Sequence, residues 1–298
     1  MRALLLALPL LLANAPSDPD TIPPPIKAML DAAMASGNEN DVATVVKYAR
    51  AAAPESADQI ARLASDWRAD RRRKNEQRIR EAGLFDLVKG RAELGAYVTQ
   101  GNSNNIGLTA VIELRREALE WRHKLRFQAD YQESRGVVTR ERYVAAYEPN
   151  WKFGERAYMY GAAQFEADRI LGYRDRISVS SGIGYSAFKR PGLRLDLELG
   201  PAYRYTDFTD GRTESRPAIR GSVDFEWKPV TGITIRQNAS AYVQQDATST
   251  VTSKSAVLSR LIGPLSAQLS YTLQYESMPP AGRKTTDTVS RAALVVDF

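Results

Sequence analysis

Cysteine is absent from this 298-residue chain, and histidine occurs once, at His123. Without thiols there can be no disulfide framework, no thiolate metal site and no cysteine nucleophile. A single imidazole also removes histidine-rich metal sites and any mechanism that uses two. Long apolar runs are equally scarce. Beyond the segment Ala3 to Ala13, no stretch approaches the ~18 apolar residues of a membrane helix, so such a chain can span a bilayer only as a closed barrel. A hydrophobic content of 43% beside 26% charged residues argues against disorder.

Met1-Arg2 and the apolar run that follows have the charge, length and small-residue ending of a secretory signal peptide, residues 1–15, with cleavage after Ala15. Secretion argues against nucleic acid as the partner of a net charge of +6. Residues 16–88 read as a helical extension. Apolar residues recur at helical spacing as Ile26, Met29, Leu30 and Ala33, then Val42, Val45, Val46 and Ala49, then Ile60, Leu63 and Trp67. Three short helices follow: Pro23 to Pro25 open the first, Gly37 and Asn38 close it, Asn40 or Asp41 caps the second, and Pro54 separates the second from the third. The basic run Arg68 to Arg80 reads first as a solvated helix surface. The competing reading is contact with an anionic periplasmic or cell-wall partner through residues 21–83.

From Lys89 to the end the period becomes 2, and residues 89–298 read as an all-β transmembrane barrel of about 12 antiparallel strands. Trp121, His123, Leu125, Phe127, Ala129 and Tyr131 alternate with Arg122, Lys124, Arg126, Gln128, Asp130 and Gln132. The expected strands are 91–101, 105–116, 119–132, 140–151, 156–168, 173–187, 192–206, 215–228, 232–245, 253–262, 265–277 and 286–298. Connections after even-numbered strands are tight and those after odd-numbered strands often longer, the rhythm of periplasmic turns and outer loops. Pro201 inside a strand suggests a bulge, and 253–262 has little apolar character on either face.

A magnitude decides which face meets lipid. Arg or Lys at the lipid midplane costs roughly 2–4 kcal/mol each, and reversing the third strand would place Arg122, Lys124 and Arg126 there together. The charged rows therefore line the lumen: Arg122, Arg126, Glu166, Asp168, Arg194, Asp196, Glu198, Arg204, Arg220, Asp224, Glu226 and Arg236. The same-face pairs Glu166/Asp168, Asp196/Glu198 and Asp224/Glu226 have the composition for acid–base work or calcium. Among Arg174, Arg176 and the other inward arginines they read instead as a mutually neutralising network. His123 has Trp121 and Leu125 as same-face neighbours and no serine, so it reads as an interfacial ring. No catalytic residue, metal or cofactor is assigned.

Aromatic residues fall at the ends of the outward rows, with Trp121, Trp151 and Trp227 at one rim and Tyr131, Tyr173, Tyr203, Tyr205 and Tyr275 at the other. The chain ends on Phe298, with Val296, Leu294 and Ala292 on one strand face and the polar Arg291 seven places back. Arg291, Val296 and Phe298 resemble the signal read by the barrel-assembly machinery. Three further stretches, GAYVTQGNSNNIGLTA (Gly95 to Ala110), FEADRILGYRDRISVSSGIGY (Phe165 to Tyr185) and LDLELGPAYRYTDF (Leu195 to Phe208), resemble in order and spacing the YdiY-like barrels, labelled salt-induced outer-membrane proteins. The resemblance covers roughly Gly90 to Phe298. It implies an outer-membrane location, supplies no reaction or ligand, and leaves the helical extension outside.

The resulting expectation is a non-enzymatic barrel in contact with outer-membrane lipid, its helices in the periplasm, forming a narrow charge-lined pore or an envelope-supporting barrel. Two alternatives stay open: a secreted soluble β protein with an apolar ligand between its sheets, and a barrel that anchors a periplasmic interaction module.

Overall fold

The computed structural model describes residues 21–298 apart from 84, 101–104, 135–136, 170–171, 246 and 280–283. The expected signal peptide lies outside the described residues. The chain divides into two compact units, the first ending at Arg78 and the second beginning at Ile79.

The first unit is helical. Helix α1 (Pro24–Ser36) opens on prolines and stops at Gly37, whose φ of 72° is the left-handed C-cap conformation. Helix α2 (Glu39–Ala52) is capped by Asn38, whose side chain accepts from the Asn40 N–H at 3.0 Å. This corrects the expected caps Asn40 and Asp41, which lie inside the helix. A single 3-10 turn, Pro54–Ser56, leads into α3 (Ala57–Glu81). Leu30, Ala49, Ala53 and Ile60 form the buried cluster, flanked by Ile26, Val46 and Leu63. Helix α3 continues through the basic run as one helix of 25 residues. No helix among the described residues is long and apolar enough to cross a membrane.

The second unit is a closed antiparallel barrel. Its strands are β1 (Val88–Gln100), β2 (Asn105–Glu117), β3 (Trp121–Ser134), β4 (Val137–Lys152), β5 (Ala157–Asp168), β6 (Tyr173–Arg190), β7 (Leu193–Phe208), β8 (Thr213–Trp227), β9 (Ile233–Val243), β10 (Thr250–Ile262), β11 (Leu265–Glu276) and β12 (Thr286–Asp297). Neighbours in sequence are neighbours in space, and β1 closes on β12 with Leu94 opposite Leu294. The turn Pro191-Gly192 needs its glycine, at φ 75°, because Pro sets the first corner and the second must be left-handed. At the opposite end the bounds of β11 and β12 stand well apart, at Glu276 and Thr286, whereas β7 and β8 are separated by little more than a turn, at Phe208 and Thr213.

Pro201 produces no bulge. Its register with β8 is continuous, opposite Ile219. On the β6 side, pairing runs from Ser180–Ala202 to Ile183–Leu199 without a shift. Gly182 and Gly200 absorb the missing N–H by letting the backbones close up: a Cβ on Gly200 would lie 2.0 Å from the Ser181 carbonyl oxygen.

The polarity of the wall distinguishes a transmembrane barrel from a soluble one. Leu94, Leu108, Phe127, Ile183, Leu199, Ile219 and Leu269 are exposed on the outside, whereas Arg122, Glu166, Asp196, Arg204, Arg220 and Arg291 are buried inside. An apolar exterior around a polar interior inverts the arrangement of a soluble ligand carrier, so that alternative is set aside. Trp121, Trp151 and Trp227 stand exposed, with Trp121 directly opposite Trp151. Tyr131, Tyr203, Tyr205 and Tyr275 are also exposed. Tyr173 departs from the expectation. A register shift between Tyr173 and Asp175 turns its ring into the lumen, fully buried against Phe208, and sends Arg174 toward solvent.

Candidate functional site in the barrel lumen

An eight-stranded barrel is just filled by its own side chains. Twelve strands enclose a wider bore, and here long side chains fill it. Charge pairs join strands that are not neighbours. Arg122 on β3 meets Asp196 on β7 at 3.2 Å and Asn150 on β4 at 3.1 Å. Arg220 on β8 donates to Glu198 at 2.9 Å and lies 3.6 Å from Glu148 on β4. Tyr158 and Ser222 also donate to Glu198, at 3.0 and 2.8 Å. These contacts form one group, toward the tight-turn end.

A second group lies toward the loop end. Arg176 on β6 reaches Glu276 on β11 at 2.8 Å, five strands away in a ring of twelve. Their side chains are 1% and 5% exposed, so this link nearly crosses the bore with almost no access to water. Thr250 donates to the same glutamate at 3.0 Å and accepts from Arg204 at 2.7 Å. Arg142 joins Glu166 at 3.2 Å and Asp168 at 3.7 Å. Arg291 on β12 pairs with Asp130 on β3 at 3.1 Å and Glu93 on β1 at 3.6 Å.

The remaining lumen candidates sit nearer the tight-turn rim and are half-buried. Arg194 bonds Asp224 at 2.9 Å and Arg236 bonds Glu226 at 2.8 Å, while Arg126 pairs with Glu113. All twelve lumen candidates thus have inward partners. Each of the three carboxylate pairs that could have offered acid and base is engaged by arginine. Paired in this way, the charges offset the desolvation that would otherwise exclude them from a low-dielectric interior. His123 points outward, stacked on Trp121 and Tyr147 with Nδ1 2.9 Å from the Tyr147 hydroxyl, as an interfacial ring.

The tyrosines of the lumen are missing from the expected set. Tyr158 lies beneath Arg122, Tyr160 beneath Arg220, Tyr242 beneath Arg204 and Tyr173 beneath Arg176, with guanidinium-to-ring distances from 3.9 to 5.0 Å. The rings pack against the guanidinium groups inside the bore, and cation–π attraction is stronger when desolvated. Residue parity exposes three of them: Tyr158 and Tyr160 share the face of Glu166, and Tyr242 that of Arg236. Tyr173 does not follow parity, because of its register shift.

The closing seam is built on a glycine. Phe298 exchanges backbone hydrogen bonds with Gly90, N–H to carbonyl, at 2.9 and 2.6 Å. Its ring covers Gly90 so closely that a Cβ there would lie 2.2 Å from it. Val296 and Phe298 face outward and Arg291 inward.

A curated relative, the uncharacterized protein YdiY of Escherichia coli (strain K12), is 24% identical over 192 residues, covering 64% of this chain and 75% of the relative. Solved structures similar in architecture include the NanC porin, 10% identical with a TM-score of 0.46 over 69% of this chain and 98% of that one. The translocator domain of the autotransporter NalP from Neisseria meningitidis is 9% identical with a TM-score of 0.44, over 78% and 96%. The KdgM porin is 10% identical with a TM-score of 0.39, over 70% and 99%. Residues 92–298, nearly the whole barrel, match the family described as "Protein of unknown function, DUF481", and the chain belongs to that family.

Proposed function

We propose that the protein is a non-enzymatic barrel of the outer membrane, with its helices in the periplasm, whose bore is a narrow, charge-lined passage restricted by side chains that bond across it. The observation that carries this reading is the Arg176–Glu276 pair, nearly diametric and almost fully buried. The apolar exterior and aromatic rims support membrane insertion. The test is single-channel conductance of the refolded barrel in planar lipid bilayers. Wild type gives steps far below those of an open pore, and the double variant Arg176→Ala/Glu276→Ala gives larger ones. Open-pore conductance in the wild type, or no change in the folded double variant, overturns the reading.

A second reading concerns the helices. Arg68, Arg71, Arg72, Arg73, Lys74, Arg78 and Arg80 of α3 are exposed, which suits an anionic periplasmic or cell-wall partner. Deleting residues 21–83 then abolishes co-sedimentation with cell-wall material and leaves conductance intact. Unchanged co-sedimentation removes this reading.

A further inference from the structure

The outer wall is not uniform. On β7 the outward row carries Leu195, Leu197 and Leu199 in the apolar band, with Tyr203 and Tyr205 toward the rim. Across β9 to β12 and β1 the corresponding rows mix apolar residues such as Val257, Leu269 and Leu294 with small and polar ones at mid-strand, Gln237, Ser255, Ser290, Ala292 and Ala96 among them, and there the surface sinks into a depression of about 740 Å³. Register places Gln237, Ser255, Tyr271 and Ser290 side by side on four successive strands, well inside the strand ends. Gln237 satisfies part of its amide locally, donating to Ser253 at 2.8 Å and accepting from Ser255. The Tyr271 and Ser290 hydroxyls have no hydrogen-bond partner among the described residues. Tyrosine favours the membrane rims, where its hydroxyl is wet. Acyl chains offer no hydrogen bond to an amide or hydroxyl at mid-depth, so leaving these groups in lipid is unfavourable.

We propose that this strip is where two copies of the chain pair side by side in the membrane. The arrangement of ring and hollow suits a two-fold pairing. Tyr271 is a bulky ring flanked on either side by a serine, with Ala292 nearby, so a two-fold axis seats each ring in the hollow beside the other. The rings then meet Gln237 and the serines, which supply the missing donors and acceptors. Isologous pairing of this kind is the commonest symmetric assembly. The area is also sufficient. Five strands about 4.8 Å apart over an apolar band about 25 Å tall give about 600 Å² per copy, at the lower end of the ~1,200–2,000 Å² total of specific interfaces.

Because the chain has no cysteine, cysteine cross-linking gives a direct test. The full-length variants Ser255→Cys and Ser290→Cys, with Leu199→Cys on the far wall as control, are folded into lipid vesicles. Heat-modifiability is checked, and each is treated with a short bis-maleimide. The expected result is at least tenfold more cross-linked dimer at positions 255 or 290 than at 199, falling to the control level when Tyr271→Ala is added. Equal yields at all three positions, or a yield unaffected by Tyr271→Ala, overturn the proposal. The unmodified chain provides an independent readout: it is dimeric by native mass measurement in mild detergent, and a folded monomer at every concentration overturns the proposal.

Discussion

Replacing Arg176 by methionine is the sharpest perturbation of the lumen. The arginine side chain is 1% exposed, bonds Glu276 at 2.8 Å and Thr206 at 3.3 Å, and lies 3.9 Å over the Tyr173 ring. Its removal leaves Glu276 buried with only the neutral donors Thr250 and Gln274. Stranding one member of a buried pair typically destabilises by about 3–5 kcal/mol, whereas replacing both members with well-packed apolar groups is often neutral or stabilising. Arg176→Met alone should therefore lower stability by about 4 kcal/mol, nearly a thousandfold in the folding equilibrium. Arg176→Met/Glu276→Leu should recover most of that loss, and because Glu276→Leu alone strands the buried Arg176 in the same way, the double-mutant cycle should show a coupling of more than about 3 kcal/mol. The assay is urea-dependent folding into lipid vesicles, followed by tryptophan fluorescence and heat-modifiability. Additive losses, with the double variant as unstable as the two singles combined, would refute the claim that these residues are coupled across the bore.

Other consequences can be checked separately. Gly90→Val puts a side chain into the space of the Phe298 ring, so it should reduce folded, heat-modifiable barrel in outer-membrane fractions, as should Phe298→Ser; normal levels of both variants would remove the seam from the account. Gly107→Ala places a Cβ 2.4 Å from Tyr97 Cζ. The overpacking should destabilise by about 1–3 kcal/mol and be relieved by Tyr97→Leu, both read from urea midpoints. In α3 the Asp70 carboxyl is held below its ordinary value by its hydrogen bond to Lys74. A lowered carboxylate contributes stability above its unfolded pKa of about 3.9 and loses it as pH falls through the folded value. Helicity of the N-terminal segment by circular dichroism should therefore fall slightly below about pH 4, in a salt-sensitive manner, and Asp70→Asn should remove that component.

The barrel was legible because each amphipathic strand carries two kinds of information at once. In β3, alternation of Trp121, Leu125 and Phe127 with Arg122, Lys124 and Arg126 both identifies a strand and assigns its faces, since the reverse assignment would put three cations into lipid. The same alternation puts the candidate residues on the inward rows, where each meets a partner. Local irregularities escaped it. The register shift at Tyr173 breaks parity, and Pro201 is accommodated by neighbouring glycines rather than a bulge. The continuation of the third helix through Arg68 to Arg80 was legible as a solvated helix surface, and α3 runs through it to Glu81. Partner choice in the lumen could not be read. Arg176 and Glu276 are separated by 100 residues and Arg291 and Asp130 by 161, and their meeting depends on how the closed sheet staggers. The sparse apolar character of 253–262 was visible, but its meaning appeared only when Ser255 was seen beside Gln237 and Tyr271.

Whether the apolar face of the wall meets lipid while the polar face lines a largely closed bore can be read from nitroxide accessibility on β7, with single labels at Leu197, Leu199 and Tyr203 on the outside and at Ala202 and Thr206 within. In reconstituted vesicles the outward labels should collide readily with dissolved oxygen, which partitions into the hydrocarbon, while the inward labels should be shielded from oxygen and from a water-soluble nickel chelate alike. Oxygen accessibility at the inward set, or free chelate access along its whole length, would contradict the account.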